Sequence, residues 1–300
     1  MKRLYRSLLA LGGWLLLAAL FAALPARADT AVAQYLSYRG PVNFTGTVQT
    51  LRTKSNSGSN NSSCSVASSV SASLTGIPSG ATIQSAQLYW AGSGNTVDSS
   101  VTLNGQTVKA GRTYTSNTGD GINYFSGAAD VSSIVKANGT YTFSGLSVTA
   151  TDPWCSVQAV LGGFALLVVY THPDEPFRLL NVYEGFKYFQ NSGFTINLSN
   201  FNVPNPLPAN VTGRVGHITW EGDDTLSQGG ENLLFNGKEL TDTMNPSGNQ
   251  FNSASNITNN SATYGVDFDA YTLDKNFISA GQTSGTTTYR SGQDLVLLCA

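Results

Sequence analysis

The sequence predicts an all-β protein built as two tandem antiparallel β-sandwiches, jelly-roll-like in topology. Three observations point there. Short runs of alternating apolar and polar residues are separated by Gly-, Asn- and Pro-rich turns. One design occurs twice: a strand ending in Trp, a loop, then an apolar strand closing on Asn-Gly. It runs from Trp90 to Asn104 and again from Trp220 to Asn236. Asn-Gly suits a two-residue hairpin turn because both residues must take positive φ. Charged residues make up only 11% of the chain, against an average of about 25%.

The elements follow in order. Lys2, Arg3 and Arg6 precede an apolar run over residues 8–24, and Ala26-Arg27-Ala28 offers small residues where a signal peptidase reads. Residues 1–28 are therefore expected to be a signal peptide. Residues 29–40 read as a loose lead-in, 42–51 as a strand and 54–63 as a surface loop. Strands are expected at 65–74, 83–90 and, in the first hairpin, 101–108. Residues 130–139 are the best helix candidate: Asp130 can cap it, Val131, Ile134 and Val135 share a face, and Asn138-Gly139 ends it. Strands follow at 141–143, 146–149 and 159–170. Residues 171–176, with two prolines and two acids, read as the linker. The first sandwich is thus placed at 29–171 and the second at 172–300.

In the second half, strands are expected at 177–183, 194–201, 214–220, 233–240, 264–271, 286–290 and 295–298. Residues 202–210 and 244–260 read as loops. The final apolar strand stops several residues short of its counterpart at 159–170. The expectation is that these 300 residues are the front of a longer surface protein. Residues 295–298 should then lie between strands, with an open ladder beyond Ala300.

Composition bounds the function. The net charge is −2, and four of the 16 basic residues would leave with the leader. Residues 151–300 hold 14 acidic and 6 basic groups, so a nucleic-acid partner is excluded: phosphate binding needs a basic face. No run after the leader reaches the roughly 20 apolar residues of a membrane helix, so no membrane span is expected once the leader is cleaved. Export permits disulfides. Cys64 and Cys155 flank most of the first module and are expected to pair, leaving Cys299. No Cys-x-x-Cys pair offers a thiolate zinc site.

Chemistry is sparse. The two histidines are His172, before Pro173 in the linker, and His217, in a strand. No Gly-x-Ser-x-Gly, His-Glu-x-x-His or phosphate loop occurs. Glu221, Asp223 and Asp224 sit in a Gly-flanked loop, and Asp267 and Asp269 share one strand face. Hard oxygen ligands of this kind suit Ca²⁺, which takes six to eight oxygens. Charge clusters are usually solvated, so the leading reading has these acids capping turns and facing solvent, with calcium the competing one. Trp154, Trp220 and Tyr183 are candidate platforms for stacking on sugar rings.

Three stretches carry a family resemblance: Gly213-Arg214 through Gly216-His217 to Trp220-Glu221-Gly222-Asp223, then Leu234-Phe235-Asn236-Gly237, then Asn249-Gln250-Phe251-Asn252-Ser253. With Tyr264-Gly265-Val266-Asp267-Phe268-Asp269, they resemble the N-terminal exported region of bacterial surface proteins that continue into conserved Ig-like repeats. The likeness runs from about Ala86 onward. It implies cell-surface display with adhesive or structural work, and no catalytic residues to carry over. This sequence departs from the pattern in holding neither repeats nor an anchor. The leading expectation is a non-enzymatic secreted or cell-surface module for adhesion or surface assembly, with a surface polymer, a protein or glycans as partner. The alternatives are a carbohydrate-binding module and, third, a glycan hydrolase using paired carboxylates such as Glu221 and Asp224.

Overall fold

Alternating side chains and Asn-Gly turns produce strands throughout. The computed structural model describes residues 29–55, 64–224 and 230–300. The expected signal peptide therefore lies outside the described residues. No helix is long and apolar enough to cross a membrane among those described.

The strands in chain order are β1 (Thr30–Gly40), β2 (Val42–Thr50), β3 (Ser69–Leu74), β4 (Thr82–Ser93), β5 (Ser100–Leu103), β6 (Gln106–Lys109), β7 (Arg112–Asn117), β8 (Asn123–Asp130) and β9 (Gly139–Ser144). There follow β10 (Gly162–Thr171), β11 (Arg178–Phe189), β12 (Ser192–Leu198), β13 (Gly213–Trp220), β14 (Asn232–Phe235), β15 (Lys238–Glu239), β16 (Val266–Leu273), β17 (Gly285–Ser291) and β18 (Val296–Leu298). They form four sheets, and the strand order repeats. The first half gives β2-β10-β4-β8-β7 over β3-β9-β5-β6; the second gives β1-β11-β18-β13-β16 over β12-β17-β14-β15. Setting β7 and β1 aside, each half is an eight-stranded jelly roll.

The two hairpins are equivalent in detail. Asn104 and Asn236 both sit at φ 50, followed by Gly105 at φ 76 and Gly237 at φ 77. Asn104 donates its N–H to Thr142 O and accepts Thr142 N–H on its side chain. Asn236 does the same with Thr286.

Three apolar cores separate the four sheets. One lies inside the first sandwich, around Trp90, Phe143 and Phe164. Another lies inside the second, around Phe189, Phe251 and Tyr289. The third joins the two five-stranded sheets face to face and holds Phe44, Tyr89, Leu167, Phe186, Trp220 and Phe268. β10 explains its own apolar run this way: Phe164, Leu166 and Val168 enter the first core, and Ala165, Leu167 and Val169 the shared one.

Several expectations are corrected. The lead-in is β1, an edge strand that pairs with β11 of the second sandwich although it lies inside the bounds of the first. The expected helix at 130–139 is a turn closed by Ile134 and Val135 N–H on Val131 O, with Asp130 accepting Ser132 N–H; so short a segment cannot offset helix nucleation. Residues 146–149 form no strand. Trp90 and Trp220 occupy equivalent strands but opposite faces: Trp90 points into its own sandwich and Trp220 into the shared core. The period of two makes one residue of offset enough to reverse a face. The disulfide forms as expected, with Cys64 and Cys155 Cα atoms 5.4 Å apart. Residues 296–298 lie between β11 and β13.

Candidate metal centre

Acidic side chains converge at one end of the second sandwich. Glu221 and Asp223 follow β13, and Asp294 precedes β18. One ligand atom from each lies within 4.8 Å of the others. The chain reaches this geometry through two positive φ values in a row, 61 at Glu221 and 115 at Gly222. Position 222 must be glycine: a Cβ there would stand 2.6 Å from Phe251 O. Ser253 donates its hydroxyl to Gly222 O at 2.7 Å, fixing the turn.

The cluster is buried. Glu221 is 2% exposed, Asp294 2%, and Glu231, just before β14, 1%. Asp294 accepts the N–H of Asp223 at 2.6 Å. Glu221 Oε2 accepts Gly222 N–H, while Oε1 is buried with no hydrogen-bond partner. Burial, then Asp223 and Asp294, push the Glu221 carboxyl well up, with Arg52 opposing. Burial and Asp294 push Glu231 up to about 9; burial and Asp223 push Asp294 up to about 8. Arg52, from the first sandwich, is itself buried. Among the described residues, four carboxylates gather beside the one guanidinium of Arg52, and buried charge is tolerated only when compensated. Such a site favours uptake of protons or of a cation.

The donors fit calcium. All are carboxylate oxygens, which suit Ca²⁺, Mg²⁺ and Mn²⁺ over softer metals. At Ca–O distances of about 2.4 Å, a coordination sphere is about 4.8 Å across, and the three ligand atoms lie within that distance of one another. A resident Ca²⁺ would hold these side chains ionised and tie the loop after β13 to the segment before β18.

The expected ligand set is thus corrected. Glu221 and Asp223 belong together; Asp224 is exposed and outside the three-acid set. Asp267 and Asp269 are fully buried on β16 and work as anchors. Asp267 Oδ1 accepts the N–H groups of Asn252 and Ala254, both at 3.1 Å. Asp269 Oδ1 accepts Asn256 N–H at 2.7 Å and the Asn245 side chain at 3.0 Å. Facing solvent is also wrong for all but Asp224. Asp294 and Glu231 carry a weaker signal in the sequence, a lone acid before an apolar strand.

His217 is fully buried, with Nε2 3.6 Å from Asp269 Oδ2; burial lowers it to about 3. The sugar platforms are corrected as well. Trp220 is 0% and Trp154 3% exposed, so neither ring can lie against a sugar. Trp154 spends its indole N–H on Asn123 O. Tyr183 is half-buried, its hydroxyl accepting Ser199 N–H at 3.0 Å.

A double jelly roll with an inward-facing acidic cluster is the class of protein this defines. The chain belongs to the family described as protein of unknown function (DUF3344), whose model matches residues 37–288. No curated protein matches. Among solved structures, a BuGH86 variant in complex with neoagarooctaose aligns at 12% identity and a TM-score of 0.18, covering 91% of this chain and 34% of that one. Wild-type BuGH86 in complex with the same ligand aligns at 12% identity and a TM-score of 0.17, with the same coverage. The chain spans about a third of the length of those structures, and at these scores the likeness carries neither fold nor activity across.

Proposed function

We propose that this chain is an exported, non-enzymatic cell-surface module for adhesion or surface assembly, its second sandwich clamped by one Ca²⁺ at Glu221, Asp223 and Asp294. The observation that carries the reading is the buried three-acid set with an unpartnered Glu221 oxygen. An ion there serves structure, because no ligand atom of Glu221 reaches solvent in quantity. The same burial weighs against a glycosidase pair, which has to flank a substrate bond; Glu221 is inside and Asp224 outside. The Cys64–Cys155 disulfide is compatible with an oxidising compartment.

The test has two parts on the chain from residue 29 onward. Calorimetric titration with Ca²⁺ should show one site, and the Glu221→Gln and Asp294→Asn variants should lose it. Labelled chain should bind the producing cells' surface, with binding reduced by a chelator. A chain indifferent to Ca²⁺ at millimolar levels would overturn the clamp; turnover of a glycan would overturn the non-enzymatic role.

A further inference from the structure

Inside the second jelly roll, a further group of oxygens is closed off from solvent. Thr219 on β13 and Asp267 on β16 are both 0% exposed and stand directly opposite each other in the ladder. Residues paired in this way share a face, with Cβ atoms about 4.5–5.5 Å apart. That face is the inner one. His217, two positions before Thr219, packs its ring edge-on to Phe251 and Tyr289, whereas Ile218 and Trp220 turn to the shared core.

Glu231 reaches the same region from the opposite sheet. It is 1% exposed and forms a bridge with Asn249. From Asn249 the chain passes Phe251, whose N–H acts against the burial that raises Glu231. It continues to Asn252 and Ala254, whose N–H groups donate to Asp267 Oδ1. One short segment thus holds both carboxylates within electrostatic reach of each other. Burial and then Asp269 push the Asp267 carboxyl well up, and Glu231 adds to the push.

The anchoring of this segment uses only one Asp267 oxygen. Among the described residues, Thr219 Oγ1, Asp267 Oδ2 and both Glu231 oxygens are buried with no hydrogen-bond partner. A buried threonine hydroxyl beside a carboxylate ordinarily donates to it. Here the two oxygens stay apart, as oxygens coordinated to one cation do. Water would occupy the lone pairs and leave two carboxylate charges buried without compensation. His217 supplies no charge, since burial lowers it to about 3. Two carboxylates and a hydroxyl form a hard donor set suited to Ca²⁺.

We propose that Thr219 Oγ1, Asp267 Oδ2 and Glu231 hold a second Ca²⁺, distinct from the one at Glu221, Asp223 and Asp294 and enclosed by the fold. Its ligands are shut in, so it enters as the chain folds and leaves only when the sandwich opens. The outer set includes Asp223, 9% exposed, and its ion exchanges with solvent. Calorimetric titration therefore registers the outer ion alone.

The test folds the chain from residue 29 onward in Ca²⁺, dialyses it natively against excess chelator, and measures bound metal by plasma mass spectrometry. One Ca²⁺ per chain should remain, and unfolding in denaturant with chelator should release it. Asp267→Asn keeps the Oδ1 acceptor for Asn252 and Ala254, and Thr219→Val keeps the side-chain shape. Both should retain about a tenth of an ion or less, and Thr219→Ser should retain the full ion. Near-UV circular dichroism, unchanged in all of them, reports that the fold is kept. Anomalous scattering from crystals of the parent chain places the ion independently of any variant. A chelated chain that holds no ion, its carboxyls protonated instead, overturns the proposal, while the calorimetric titration still judges the outer site by itself. An ion retained equally by Asp267→Asn and Thr219→Val, or an anomalous peak away from these three side chains, overturns it as well.

Discussion

Arg112 on β7 and Glu184 on β11 form an ion pair across the shared core, Nε to Oε1 at 2.5 Å and Nη2 to Oε2 at 3.0 Å. The two strands belong to different jelly rolls. Tyr89 donates its hydroxyl to Glu184 Oε2 at 3.0 Å, Tyr114 donates to Oε1, and the Arg112 guanidinium lies 4.1 Å above the Tyr35 ring. A forked guanidinium and two phenols therefore satisfy one carboxylate that the shared core would otherwise leave bare.

Breaking that pair should loosen the interface. Arg112→Met leaves Glu184 buried without its cation and is expected to cost about 3 kcal/mol in chemical denaturation. Glu184→Gln on the Met background should recover part of it. Additive losses in the double variant would show that the two groups do not interact.

Ligand identity separates two acids, Asp294 and Asp224. Asp294→Asn should abolish the rise in melting temperature produced by Ca²⁺, and Asp224→Asn should leave it intact. With free Ca²⁺ a hundredfold above Kd, the stabilisation to be lost is about 2.7 kcal/mol. Gly222→Ala should also abolish it, by forcing the turn off Phe251 O. Equal Ca²⁺ responses in the Asp294 and Asp224 variants would remove Asp294 from the site.

Asp269 makes stability depend on pH. Burial raises it from 3.8 to about 7. The folded state keeps a proton that the unfolded chain releases near pH 4. Its contribution is full below that point and is lost as pH rises through about 7. The groups facing it are His217, held neutral by burial at about 3, Asp242, which raises it, and the Asn245 side chain and Asn256 N–H, which lower it. Asp269→Asn keeps the Oδ1 acceptor for Asn256 and should flatten the denaturation midpoint between pH 4 and 7. A slope unchanged in that variant would assign the titration elsewhere.

Gly127→Ala should be costly. A Cβ there would stand 2.3 Å from Trp90 Cε2, so the indole must move within a closed core, at about 1–3 kcal/mol. Gly105→Ala, with open space around it but φ at 76, carries only backbone strain. If the Gly105 variant proves the weaker of the two, sterics at Trp90 are not limiting.

Replacing Cys64 and Cys155 with Ser releases a closure 91 residues long. The expected loss is about 4 kcal/mol, read as a lower denaturation midpoint with an altered slope. An unchanged midpoint would mean the bridge restrains nothing in the unfolded chain.

Much of this architecture was legible because it rests on local rules. Alternation found most strands, and Asn-Gly marked both hairpins, since αL geometry at two adjacent residues admits few other pairs. Long-range facts were not legible. Residues 30–40 look like a lead-in because an edge strand with one wet face needs few apolar residues; only the edge of β11 makes them β1. The Trp of the repeated design falls on opposite faces in the two halves, because nothing local reports which face a strand turns to a second domain. At the acidic site, sequence proximity placed Asp224 with Glu221, whereas the fold brings Asp294 from 71 positions beyond Asp223. Asp267 and Asp269 alternate like ligands and serve as loop anchors, because backbone N–H groups from residues 252–256 reach them first.

β1 lies against the strand that begins the other half of the chain, with Thr30 opposite Phe186. During synthesis, the earliest residues of this sheet emerge long before their partner. The β1 ladder cannot close until about residue 186 is free, whereas β2 and β3 through β10 can assemble on their own strands first. Vectorial folding thus has a built-in order: the first jelly roll, then the pairing of β1 with β11, then the rest of the second jelly roll. A protease cut in the connection between β10 and β11 would not separate the halves, because the amino-terminal fragment would still be paired by β1 along the edge of the other's sheet.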